Sequence, residues 1–180
     1  MNRRVILTIT TLVLVVTLSV IGVSCKPSEP LEFLTYTDEA NGFSIDYPEG
    51  WYIEHPKERP TIKVAIWSKS FGVNRACIMV TKEKVSVRSL ESYSELRMQH
   101  VSDTAKDYVA ISTEELTITG IPAIKHTYTE TIGTTPYKAV QVYLVEDETG
   151  WLFGFACPQK SLDSYKSTRD TALNSFRLLK

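Results

Sequence analysis

Three histidines and three cysteines carry most of the chemical repertoire in this chain of 180 residues. His126 is followed four positions later by Glu130, in a stretch that alternates like a strand, so both side chains belong to one face. With Glu114 or Glu115 on a neighbouring strand, that face is a weak candidate for holding a divalent cation. A solvated row of charges is the simpler reading. His100 falls on the apolar side of a helical stretch, where a satisfied, half-buried histidine explains it better than a ligand, and His55 precedes Pro56 in a loop. No His-Glu-x-x-His helix, Gly-x-Ser-x-Gly elbow or P-loop occurs. The serines gather at caps and turns, where their hydroxyls satisfy backbone groups. The expectation is a protein that is not an enzyme and uses no metal and no cofactor.

Cys25 closes an N-terminal apolar run and is a candidate for lipidation, which leaves Cys77 and Cys157, each in a strongly apolar extended stretch. Outside the cytoplasm such a pair can oxidise. Closing a loop of about eighty residues would stabilise by up to about 4 kcal/mol in chain-entropy terms. Each is equally readable as a small buried hydrophobe, so the bridge is a candidate and no more. Among the aromatic residues, Trp67 and Phe71 stand out. Trp67, facing away from Ile62, Val64 and Ile66, and Phe71, beside Gly72, would line a groove or an exposed patch. The alternative is that a covering helix buries both.

The elements that must position these residues are legible from turns and periods. Asn41-Gly42 suits a tight hairpin turn, Phe43, Ile45 and Tyr47 alternate with polar residues, and Pro48-Glu49-Gly50 turns the chain again before Trp51. Extended runs follow at Ile62 to Trp67, Ala76 to Lys82, Val109 to Thr119, Ala123 to Ile132, Tyr137 to Val145 and Trp151 to Cys157. Ser89 to Thr104 changes period, with Leu90, Tyr93, Leu96, His100 and Val101 on one side and Ser89 as N-cap. A second helix starts at Ser161 and places Leu162, Tyr165, Arg169, Leu173 and Phe176 together. The tail from Ser175 to Leu179 is expected to pack back onto the sheet. Short links between strands predict a mainly antiparallel sheet with helices packed on it.

Ahead of this lie Arg3 and Arg4, then the uncharged run Val5 to Val23, then Ser24-Cys25. Three readings compete: a lipoprotein signal with Cys25 lipidated, an uncleaved membrane anchor, and an ordinary secretion signal. All three put the body of the protein outside the cytoplasm by the positive-inside rule. Residues 1–25 are thus signal or anchor, 26–32 a short stiff linker containing Pro27 and Pro30, and 33–180 a single domain. The formal net charge is −1, and setting aside Arg3 and Arg4 makes the remainder more acidic, so nucleic acid is excluded as a partner. An apolar fraction of 43% argues for a packed core.

Tyr36-x-Asp38 followed by Asn41-Gly-Phe-Ser-Ile-Asp-Tyr-Pro-x-Gly-Trp51 resembles the opening of PsbP-like domains. Leu90-x-x-Tyr93, Gly120-Ile-Pro-Ala123, Gln141-Val-Tyr143 and Ser175-Phe176 are similar to later landmarks of that family, in the same order. The resemblance spans nearly all of Phe33 to Lys180. It implies an α+β fold, an α/β/α sandwich in which a mainly antiparallel sheet is flanked by two main helices. The family includes an extrinsic photosystem II subunit that helps retain calcium and chloride, bacterial lipoproteins, and nuclear proteins that bind a small GTPase. No functional residue of those relatives maps onto a position here, and fold alone does not transmit function. The expected role is a non-catalytic, membrane-tethered extracytoplasmic accessory or binding lipoprotein, lipid-anchored at the cell membrane and docking a membrane-associated protein partner. The alternative is a carrier or binder of a small apolar ligand or lipid.

Overall fold

The turn at Asn41-Gly42 is built as the residue types dictate. Gly42 takes a φ of +80°, and the Asp38 carboxylate accepts hydrogen bonds from the Asn41 backbone N–H (2.9 Å) and from its side-chain amide (2.8 Å). That turn joins β1 (Phe33–Asp38) to β2 (Phe43–Pro48), with Phe33 opposite Pro48 and Asp38 opposite Phe43. The computed structural model describes residues 31–70, 72–86 and 89–179. The leader, Cys25, the linker up to Pro30, and Phe71 lie outside the described residues.

Eight further strands and two helices follow. They are β3 (Tyr52–Glu54), β4 (Ile62–Trp67), β5 (Cys77–Lys84), α1 (Leu90–Thr104), β6 (Val109–Ile118), β7 (Ile121–Ile132), β8 (Thr135–Glu146), β9 (Thr149–Pro158), α2 (Lys166–Ser175) and β10 (Arg177–Leu178). Strands β3-β4-β5-β9-β8-β7-β6 form one sheet of seven, and β1-β2-β10 a second of three. Every pairing is antiparallel.

Alternation along the paired strands sorts the large sheet into two faces. One carries Val64, Ile66, Ile78, Val80, Val140, Val142, Leu144, Trp151, Phe153 and Phe155. The small sheet and α2 together cover it. Phe43 of β2 lies 6.0 Å from Trp151 and 6.4 Å from Phe176, and Phe176 lies 5.9 Å from Phe153. Burying each such side chain contributes about 1.5–3 kcal/mol, so this layer holds most of the stabilising apolar contact. The opposite face is covered by α1, through Tyr93 packed edge-on against Tyr143 (6.2 Å, 88°) and beside Leu152. The Tyr93 hydroxyl donates to Glu83 of β5 (2.8 Å), which also pairs with Arg97 (3.3 Å). Ser89 caps α1 by accepting from the Ser92 N–H.

The antiparallel sheet with helices packed on it is therefore as expected, but the layers differ in detail from a plain α/β/α sandwich. The third layer is half helix and half three-stranded sheet, because β10 returns to pair with β2, Arg177 opposite Ser44. Helix α2 begins at Lys166, not at Ser161; Gln159–Ser161 forms a single tight turn instead. On α1, Leu96 (59% exposed) and His100 point to solvent, and Tyr93, Ser94 and Val101 make the buried side. A register irregularity between Ile62 and Val64 moves Ile62 off the face it was expected to share with Val64 and Ile66. No helix among the described residues is long and apolar enough to cross a membrane.

Candidate functional site

Helix α1 covers only part of its face of the large sheet, and the rest is an open groove of about 440 Å³. The floor is bare because the side chains that point into it are small. Gly154 and Ala156 of β9 alternate with Phe153, Phe155 and Cys157, which point the other way, and Ala139 of β8 sits directly opposite Ala156. Met79 of β5, opposite Gly154, supplies the one long aliphatic chain at the centre. Trp67, at the end of β4, forms one wall; Tyr128, Glu130 and Ile132 of β7, with Tyr137 of β8, form the other. The volume is within the range of small-molecule sites, roughly 300–1,000 Å³.

Charge is concentrated at the rim. Arg75 lays its guanidinium over the Trp67 ring, 4.9 Å from the centroid, and its Nε donates to the Gly72 carbonyl oxygen (3.3 Å). The Tyr137 hydroxyl donates to the Arg75 carbonyl oxygen (3.0 Å), and the Trp67 indole N–H donates to Glu54 (2.8 Å). Arg59 also lines the groove, from an exposed loop. Glu130 is half-buried in the opposite wall, and burial pushes its carboxyl above the usual carboxylate range. It makes no hydrogen bond or ion pair with a described residue.

His126 lies on the same face as Glu130, but the two do not form a metal site. Both ring nitrogens of His126 are engaged, Nε2 with the Tyr108 hydroxyl (2.8 Å) and Nδ1 with the Thr113 hydroxyl (3.2 Å), and the ring stacks on Tyr128 at 5.3 Å. Burial holds its pKa below the ordinary histidine value, while a backbone contact with Ser112 pulls the other way. Glu114 faces the opposite side of the sheet and pairs with Lys125 (2.7 Å). No cluster of three metal-ligating residues occurs among the described residues. Tyr128 is fixed in turn by Gln141, whose amide donates to its hydroxyl (3.0 Å) and whose oxygen accepts from Tyr143 (2.6 Å). Burial raises the pKa of Tyr93, Tyr128 and Tyr143, keeping all three protonated.

The two cysteines considered for a bridge are not brought together as a pair. Cys77 is opposite Ala156 in the β5–β9 register, so Cys157, one residue on, points to the other face. Both thiols are free. Burial pushes Cys77 up to about 12 and Cys157 up to about 11. Of the residues singled out from the sequence, Trp67, Cys77 and Glu130 border the groove, while Cys157 and His126 are packed elsewhere. Arg75, Arg59 and the small-residue floor are not among them. The signal available was the alternation of Trp151, Phe153 and Phe155 with Gly154 and Ala156, which leaves one side of a central strand without bulk.

No protein-family model and no curated protein sequence matches the chain. Solved structures do. The solution structure of cyanobacterial PsbP from Synechocystis is similar at a TM-score of 0.64 and 18% identity, covering 86% of this chain and 97% of that one. LpqN of Mycobacterium tuberculosis, involved in cell envelope biogenesis, is similar at a TM-score of 0.62 and 7% identity, covering 83% of this chain and 92% of its own. A protein of unknown function from Pseudomonas aeruginosa is similar at 0.57 and 10% identity, covering 80% and 95%. With the seven-stranded sheet, its two helices and these matches together, the fold of this chain is that of a PsbP-like domain.

Proposed function

We propose that this chain is a non-catalytic, extracytoplasmic accessory or binding protein, tethered to the membrane by its N-terminal segment, with Cys25 as the lipidated residue. The apolar run Val5 to Val23 behind Arg3 and Arg4 supports the tether. The likeness to LpqN, a protein of cell envelope biogenesis, supports the placement. Binding rather than turnover is favoured because, among the described residues at the groove, no nucleophile stands within hydrogen-bond reach of a base: Tyr128 is bonded to Gln141, the Trp67 indole to Glu54 and Tyr137 to the Arg75 carbonyl oxygen.

The observation that carries the reading is the open groove on the sheet face beside α1. Its concavity and size favour a small apolar ligand as occupant. Docking of a membrane-associated protein partner is the second reading, favoured by the exposed Leu96, Val109 and Ile111 on α1 and β6. Purification from membranes under native conditions, followed by native mass spectrometry and by crosslinking in intact cells, separates the two. A bound small molecule lost on Ala156→Phe supports the carrier. A stoichiometric protein crosslinked through Leu96 or Ile111 supports docking. Radiolabelled fatty acid that still labels Cys25→Ala protein would remove the lipid tether.

A further inference from the structure

We propose that the groove takes a single-chain amphiphile with an anionic head group, the head held by Arg75 and Arg59 and the chain laid along Ala139, Gly154 and Ala156 against Met79. This rests on reading the groove as a ligand site and adds the chemistry of the ligand.

The floor sets the body of the ligand. Three adjacent positions on two paired strands carry at most a methyl group, and a Cβ built on Gly154 would already stand 3.4 Å from both Leu152 and Met79. A slim aliphatic chain fits such a trough better than a wide ring system. Its apolar surface is continuous with Met79 and Ile132.

The rim sets the head. Two guanidinium groups, Arg59 and Arg75, line the groove with one carboxyl, Glu130, whose burial works against its charged form, while the nearby Glu54 carboxylate is taken up by the Trp67 indole N–H. Arg75 is pre-positioned: its Nε is held by the Gly72 carbonyl and its plane rests on Trp67, while its two terminal amino groups have no partner among the described residues. A fork held in this way suits the paired oxygens of a carboxylate or phosphate. A cationic head is disfavoured on the same geometry, because the face of Trp67 that would receive it is already occupied by Arg75.

The test uses the full chain in phosphatidylcholine nanodiscs and short, monomeric probes: octanoate, octyl phosphate, octanol and octylammonium. The readout is the indole N–H resonance of Trp67, assigned with Trp67→Phe. Trp151 packs against Phe43 and Trp51 against Tyr165, on the opposite side of the sheet, and both serve as internal controls. Octanoate or octyl phosphate should bind at least about tenfold more tightly than octanol, since a hydrogen-bonded charge contributes about 1.5–3 kcal/mol. Comparing the two separates a carboxylate source from a phosphate source. Arg75→Gln should bring the ratio of octanoate to octanol affinity down to about one, and Ala156→Phe should abolish binding of every probe with the far-UV spectrum intact. Equal binding of octanol and octanoate to the parent protein overturns the anionic head while sparing the ligand site. Tightest binding of octylammonium overturns it in favour of Glu130. If no probe moves the Trp67 resonance, the ligand site itself is refuted.

Discussion

Gly150, at the start of β9, allows α1 to lie close against the sheet, and Gly150→Ala should loosen that contact measurably. A Cβ at this position would stand 2.6 Å from Cζ and 2.7 Å from Cε2 of Tyr93, and 2.7 Å from a methyl of Val85. Ordinary carbon contacts lie at roughly 3.5–4.0 Å, so about 1 Å must be found. Tyr93 cannot swing away cheaply, because its hydroxyl is bonded to Glu83 and its ring is packed edge-on to Tyr143. Overpacking of this kind costs about 1–3 kcal/mol. Lower entropy of the unfolded alanine chain offsets about 0.4–1 kcal/mol of it. The net loss is about 1–2 kcal/mol, or a Tm lower by about 2–8 °C for a domain of this size. Thermal unfolding followed by circular dichroism measures it. The same substitution in a Tyr93→Ala background should cost less, since the ring is gone and only Val85 remains to be displaced. An unchanged or raised Tm for Gly150→Ala, or an equal cost in both backgrounds, would refute the contact as described.

Glu130→Gln should raise stability near neutral pH. The folded carboxyl holds its proton above the unfolded value, so the stability it contributes is present in acid and lost as pH rises through the folded pKa. The gain over the parent protein should vanish below the ordinary carboxylate range, and a gain that persists there contradicts the assignment. His126 should behave oppositely. Its lowered pKa means that stability is present above the ordinary histidine value and lost as pH falls through the folded one. NMR titration should place its midpoint below 6.5, and a midpoint above that value would rule out the buried neutral ring. Tyr143→Phe removes the donor to the half-buried Gln141 amide oxygen, at a cost of about 0.5–1.5 kcal/mol in denaturant unfolding. Cys77 and Cys157 should resist iodoacetamide in the native state at pH 8 and react fully in denaturant. A mass two hydrogens short under non-reducing conditions would restore the bridge.

How much of this was visible in the chain depends on whether a feature is set locally. The hairpin at Asn41-Gly42, the Ser89 cap and the β7–β8 pair follow from residues within a few positions of one another. The apolar runs of β5 and β9 are equally visible, but a run that is apolar throughout hides the bare side of Gly154 and Ala156, which the strand register exposes. The late start of α2 depends on the tight turn Gln159–Ser161, which a helical period reads straight through. Spacing alone puts His100 on the covered side of α1; Tyr93 and Val101 fix a rotation that leaves it outside. Arg75 gave no local sign at all. Its position over Trp67 depends on the β4–β5 register together with the Gly72 turn, and that is tertiary information.

The three-stranded sheet has a consequence for the order of events during synthesis. Ser44 accepts from Arg177 across 133 positions, and the Asp46 N–H donates to Ser175 across 129. Contacts so distant along the chain are slow to close. The aromatic layer around Phe43 thus stays unsealed until the ribosome has delivered Arg177 and Leu178. Closing of β2 on the edge away from β1 therefore waits on β10, a partner that no local hairpin can supply.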